Sequence, residues 1–254
     1  MTQQKVHQKR YWFIGIIVFT AAVVANAPAS LLQSAFKQAG DQFHYAGIEG
    51  TIWSGVIRNV SVSGADLGDI KFKTRPSALL QGAIRAQVSL NGEDVFGVSE
   101  IGAGLGGGLQ INDADLRLNL TRLSRRYAFM GAPIEGTATV QVEAFSINKN
   151  GCGRANGKIW TDVLKGPAKV FNGEAFDLSG PIECDEGIVK VMLAGKGGEG
   201  SATMTIAVQP DLSYVLTADA TPSRQEIDQA LQLIGFEKSE SGLTYGATGV
   251  FKGV

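Results

Sequence analysis

The chain has 254 residues, with 23 basic against 24 acidic side chains and 44% hydrophobic content. Near-zero net charge excludes the basic surface that nucleic-acid binding requires, and the apolar content excludes a disordered chain. Glycine, at 33 residues, is about twice its usual share while proline stands at only 7, the composition of many short strands joined by tight turns.

Lys5, Lys9 and Arg10 precede an uncharged run from Tyr11 to Ala25 that can be stretched to Ala29. A run of roughly 17 to 19 residues is at the lower limit for a helix that spans a bilayer. The preceding positive charge predicts a cytoplasmic tail over 1–10, a transmembrane anchor over 11–28 and a domain over 29–254 on the far side. Tyr11 and Trp12 are placed as interfacial aromatics. A cleavable signal peptide is the alternative, because Ala25-Asn26-Ala27 has the small-x-small pattern; Pro28, however, would follow the cut. Either way the remainder lies outside the cytoplasm.

Beyond the anchor, Leu31, Leu32, Ala35, Phe36 and Ala39 make a helical stripe, and Gly40 is a natural stop. The stretch from Gly50 to Val62 reads as a strand that hands over directly to more strand, with Trp53 as a core or sheet-face aromatic. Leu67 to Lys73 follows as a short strand, and Pro76 to Gly82 reads as a one-turn helix or tight connection. Ala83 to Leu90 alternates and ends on Asn91-Gly92, a hairpin signal. Further alternation runs through Leu109–Leu120, Ile134–Ile147, Ile188–Leu193, Ala202–Val208 and Tyr214–Ala220. Ser223-Arg224-Gln225-Glu226 has the form of a capping box that opens a second short amphipathic helix, closed by Gly235. One or two strands over Gly242–Phe251 finish the chain. The expected fold is all-β and mainly antiparallel, as a curled sheet, a sandwich or a partial barrel, with one anchor and two short amphipathic helices.

Candidate chemistry is sparse. Gly102-Ala103-Gly104-Leu105-Gly106-Gly107 resembles a dinucleotide fingerprint by letter, but an alternating strand follows where that motif needs a helix, so it reads as a glycine-rich turn. Asp113 and Asp115 fall on a solvated strand face, and Glu183, Asp185 and Glu186 on a solvated turn. The two histidines, His7 and His44, form no triad with the residues around them. No catalytic residue, metal ligand or cofactor is therefore assigned. Cys152 and Cys184, alone in an oxidising compartment, are expected to form a disulfide.

The Gly50-Thr51-Ile52-Trp53-Ser54-Gly55 stretch, Leu67-Gly68-Asp69-Ile70, and Arg75-Pro76-Ser77-Ala78-Leu79-Leu80-Gln81-Gly82 together resemble the type II secretion system protein N family. So do the N-terminal anchor, Cys152-Gly153-Arg154-Ala155-Asn156-Gly157 and Gly180-Pro181-Ile182-Glu183-Cys184. Phe72 stands where the family usually carries a second aromatic, often tryptophan. The resemblance implies a single-pass inner-membrane protein with no catalytic residues. It would be an accessory component of type II protein secretion that contacts other inner-membrane components of the machinery. Sustained one-sided alternation also suits a different class, a membrane-tethered β-groove that binds or transfers lipid. The two readings differ in whether the apolar face is covered by helices and a second sheet or left open as a trough.

Overall fold

In a strand, successive side chains point to opposite faces, so alternation that survives pairing paints each face of a sheet with one chemistry. The computed structural model describes residues 15–16, 19–20, 22–33, 43–104, 107–126, 135–170, 172–240 and 242–250. Among these residues fifteen strands form one antiparallel sheet. They are β1 (Phe43–His44), β2 (Gly47–Thr51), β3 (Ser54–Val62), β4 (Ala65–Thr74), β5 (Ala83–Asn91), β6 (Val95–Gly104), β7 (Leu109–Asn119) and β8 (Thr137–Asn148). The rest are β9 (Gly151–Thr161), β10 (Leu178–Asp185), β11 (Ile188–Gly197), β12 (Gly200–Val208), β13 (Ser213–Pro222), β14 (Glu237–Ser239) and β15 (Gly242–Val250). β1 and β2 lie end to end along one side of β3. From β3 to β13 each strand pairs with the next, β15 follows β13, and β14 pairs part of the outer edge of β15.

Register places the apolar set on one face. Ala114, Val142, Gly157, Ile182, Val191, Ile206, Leu216 and Ala247 are opposite one another across β7 to β15. Ile57, Ile70, Leu90, Gly97, Leu116, Val140 and Ile159 do the same from β3 to β9. The opposite face carries Lys71, Ser89, Val98, Asp115, Gln141 and Lys158 in one row. Register shifts at Ile57/Val60, Gly68/Asp69, Val98/Glu100, Val142/Ala144 and Ser146/Ile147 are bulges, which bend the sheet and increase its twist.

Antiparallel alternation also sorts the connections. The β2–β3, β4–β5, β6–β7, β8–β9, β10–β11 and β12–β13 links share one end of the sheet, here the proximal end. Helices α1 (Leu120–Arg126), α2 (Lys165–Val170) and α3 (Gln225–Leu233) all lie in distal links. A 3-10 turn, Ala29–Leu32, packs on β2, and a second, Pro76–Gln81, makes the β4–β5 link.

Several expectations need correction. The described residues form one continuous sheet whose β1/β2 and β14 edges are not paired with each other, so no closed barrel and no second sheet is present among them. Gly50 to Val62 is not one strand, because Thr51–Ser54 is a tight turn between β2 and β3. Gly102 to Gly104 complete β6 instead of forming the turn, while Leu105 and Gly106 lie outside the described residues. The helix expected after the anchor opens as a 3-10 turn over Ala29–Leu32 with Gln33 helical; Ser34 to Gly40 lie outside the described residues. α3 begins without a capping box, since Arg224 is its N-cap and makes no side-chain capping bond. Helices α1 and α2 were not anticipated. The tail over 1–10 and most of the anchor lie outside the described residues, within which no helix is long and apolar enough to cross a membrane.

Candidate functional site

Gly50, Thr51, Trp53 and Gly55 meet at one joint. Thr51 Oγ1 accepts the backbone N–H of Trp53 and of Ser54, each at 3.3 Å, a threonine turn that reverses the chain in four residues. Gly50 has φ +97°, and a Cβ there would sit 2.5 Å from the Ser54 carbonyl oxygen, so only glycine fits. Gly55 lies opposite Phe72, whose ring covers it at 2.8 Å from the position a Cβ would take. Trp53 is free to face the other way: its indole Nε1 donates to the carbonyl of Val24 at 2.9 Å. Ile52 N–H donates to Ala27 at 3.0 Å, and Pro28 bridges to Thr51. The helical residues that end at Ala25 are thereby fastened to the hairpin at the proximal end.

The other singled-out residues sit at the same end. Pro76 occupies the first turn of the 3-10 helix, as its fixed φ allows, and Gly82 closes it in the left-handed region at φ 68°. Leu79 is 47% exposed there, and the Leu80 side chain lies outside the described residues. Cys152 and Cys184 form a disulfide with a Cα–Cα distance of 6.0 Å that ties the start of β9 to the end of β10. Trp160, by contrast, lies at the distal end of β9, on the polar face opposite Thr139 and Ser179.

The apolar face is covered unevenly. Its distal half holds Val60, Leu178 and Leu243, each 1% exposed or less, while Leu216, equally buried, lies in the proximal half of β13. Phe176, from the loop after α2, lies over Gly195 and Gly197. Phe236, just after α3, stacks on Tyr245 with ring centroids 5.3 Å apart. At the proximal end of β5 to β7 nothing comparable is present among the described residues, and Ile84 is 57% exposed, Leu109 44% and Ile101 36%.

Two charged clusters brace the edges of this arrangement. Arg58 holds Asp69 at 2.7 Å and Glu49 at 3.0 Å. The backbone N–H of Asn59 and the Arg58 guanidinium hold the Asp69 carboxyl below the usual carboxylate range. At the distal end Asp94, 1% exposed, accepts the Asp66 N–H at 2.8 Å and pairs with Arg122 of α1. Asp94 escaped sequence reading, because an acidic residue after Asn-Gly looks like part of an ordinary solvated turn.

A cavity of about 330 Å³ on the polar face is lined by Lys71, Lys73, Gln87 and Ser89 among others. Among the described residues no three His, Cys, Asp or Glu side chains gather as metal ligands.

The family model for "Type II secretion system (T2SS), protein N" matches residues 41–245. A curated relative, the "Type II secretion system protein N" of Vibrio cholerae serotype O1, is 22% identical over 222 residues, covering 85% of this chain and 86% of its own. No solved structure matches the chain. The match runs from before β1 into β15, and so takes in the hairpin joint, both cysteines and nearly the whole sheet: the chain belongs to the type II secretion system protein N family.

Proposed function

We propose that the chain is an accessory component of type II protein secretion. Its N-terminal segment is held in the inner membrane, its domain over 29–254 stands in the periplasm, and it works by contact with other secretion components and not by catalysis. Family membership supports the secretion role. The Trp53 joint supports the tether, because a helix fastened to the hairpin by the Trp53 and Ile52 bonds fixes the orientation of the whole sheet relative to that helix.

The contact is assigned to the outer edge of β15. β14 covers β15 only at Gly242, Leu243 and Thr244, so from Tyr245 to Val250 no strand lies beside that edge among the described residues. This stretch has no charge and no proline, the devices that normally protect an edge from strand addition. The opposite edge is poorer for pairing, since it is broken between β1 and β2 and carries Glu49.

A photoreactive amino acid at Thr248, in cells carrying the full secretion operon, tests this reading. Adducts with inner-membrane secretion components are expected. Adducts free of them, with secretion unchanged when the gene is deleted, would overturn it.

A further inference from the structure

We infer that the apolar face is a trough for the acyl chains of a membrane phospholipid, entered at the proximal end of β5 to β7. The inference rests on the tether in the proposed function, because the occupant is taken from the bilayer beside the joint.

Among the described residues the face is closed at one end and open at the other. Distally, Phe176 and α3 with Phe236 lie over it, and Leu178 and Leu243 are each 1% exposed. Proximally, Ile84, Ala103 and Leu109 stand in one cross-strand row and Ile101 in the next, with Leu79 beside them on the β4–β5 link. Three of these four large aliphatics are 44% exposed or more. This open end is the one to which the N-terminal helix is fastened. Strands of about ten residues run roughly 33 Å, comparable to the roughly 30 Å hydrocarbon thickness of a bilayer, so an acyl chain fits along them.

Charge selects the kind of lipid. Lys71, Lys73 and Arg85 lie on the polar face in the proximal halves of β4 and β5, and Arg75 stands on the link between them, paired with Glu100 at 3.0 Å. The buried Arg85 Nε has no hydrogen-bond partner. An anionic headgroup that turns over the proximal strand ends would meet Arg75 and Lys73 first, while its chains lay on the apolar face. A polypeptide segment is the poorer occupant: extended backbone laid on this face would leave its N–H and C=O groups facing aliphatic side chains with nothing to pair them.

The full chain is reconstituted in phosphatidylethanolamine vesicles doped with phosphatidylglycerol that carries a diazirine near the end of one acyl chain. After illumination the adducts are mapped by peptide mass spectrometry. Adducts are expected on β5 to β8 peptides as well as on residues 11–25. The double variant Ile84→Gln with Leu109→Gln, both at exposed positions and so compatible with folding, is expected to lower the β5 to β8 adducts roughly ten-fold. It should leave those on 11–25 unchanged. Adducts confined to 11–25 overturn the trough while the tether stands, and adducts on β5 to β8 alone uphold the trough and overturn the tether. Adducts unaltered by the double variant, or chain-to-chain crosslinks through Ile84 and Leu109 in place of lipid, overturn the trough.

Discussion

At the scale of the residue, glycine and aromatic positions are complementary. Gly55 is roofed by the ring of Phe72 and Gly249 by that of Tyr214, each the direct cross-strand partner. A Cβ at Gly55 would stand 2.4 Å from the Glu49 carbonyl oxygen as well as 2.8 Å from Phe72. Gly55→Ala is therefore expected to cost about 1–3 kcal/mol in urea unfolding, and Phe72→Leu in the same chain to recover only the part due to the ring. Acid stability is set locally too. Asp69 has a lowered folded pKa, from the Asn59 N–H first and Arg58 second, so its stabilisation is complete above its unfolded pKa and is lost as pH falls through the folded value. Wild type should thus lose urea resistance more steeply in acid than Asp69→Asn, and parallel curves would show that Asp69 does not hold the bulge at Asn59. The sequence made Trp53 and the glycines visible as special positions. It did not show the indole donating to Val24, a partner 29 residues away, because long-range pairing leaves no local pattern.

At the scale of the element, strands with clean alternation were legible and strands built around glycine or proline were not. β7 and β12 announce themselves by period two. β9 contains Gly151, Gly153 and Gly157, and β10 contains Gly180 and Pro181; both are residues that ordinarily argue against a central strand. The structure shows why they are tolerated. Gly157 and Gly180 each lie against a neighbouring strand's backbone, where a Cβ would meet the Gln141 carbonyl oxygen at 2.7 Å and the Met192 carbonyl oxygen closer still. α1 was hidden because its first residues continue the alternation of β7. Since β9 and β10 pack few large side chains, their pairing leans on the disulfide between Cys152 and Cys184. Closing a loop of 32 residues stabilises by about 3.7 kcal/mol in the chain-entropy account. Reduction, or Cys184→Ser, is expected to lower unfolding stability by about 2–4 kcal/mol, read as the difference between oxidised and reduced urea midpoints.

At the scale of the whole molecule, one-sided alternation along every strand reveals an antiparallel sheet with one apolar face, and that much was legible. Closure was not, because an open trough, a sandwich and a barrel all require the same alternation. The bulges at Asn59 and Asp113, with φ of 50° and 47°, bend the sheet and are set by backbone conformations that residue type only weakly signals. The topology has a thermodynamic consequence. From β4 to β12 each strand pairs only with its sequence neighbours, so the meander resembles a repeat array in which stability is passed between adjacent units. Only fourteen apolar side chains among the described residues are buried, scattered from Ala29 to Leu243, so no single core locks the two ends together. Leu243→Ala removes a side chain that is 1% exposed and should cost about 2–5 kcal/mol where it acts. In a two-state domain that loss would lower amide protection everywhere alike. In this sheet it is expected to speed hydrogen exchange in β12, β13 and β15 while leaving β3 to β5 close to wild type. Uniform acceleration across all strands would mean that the apolar face folds as one cooperative unit despite its open end. The contrast also bears on how the molecule could work: if the ends open independently, the β15 edge can exchange partners without loosening the joint at Trp53.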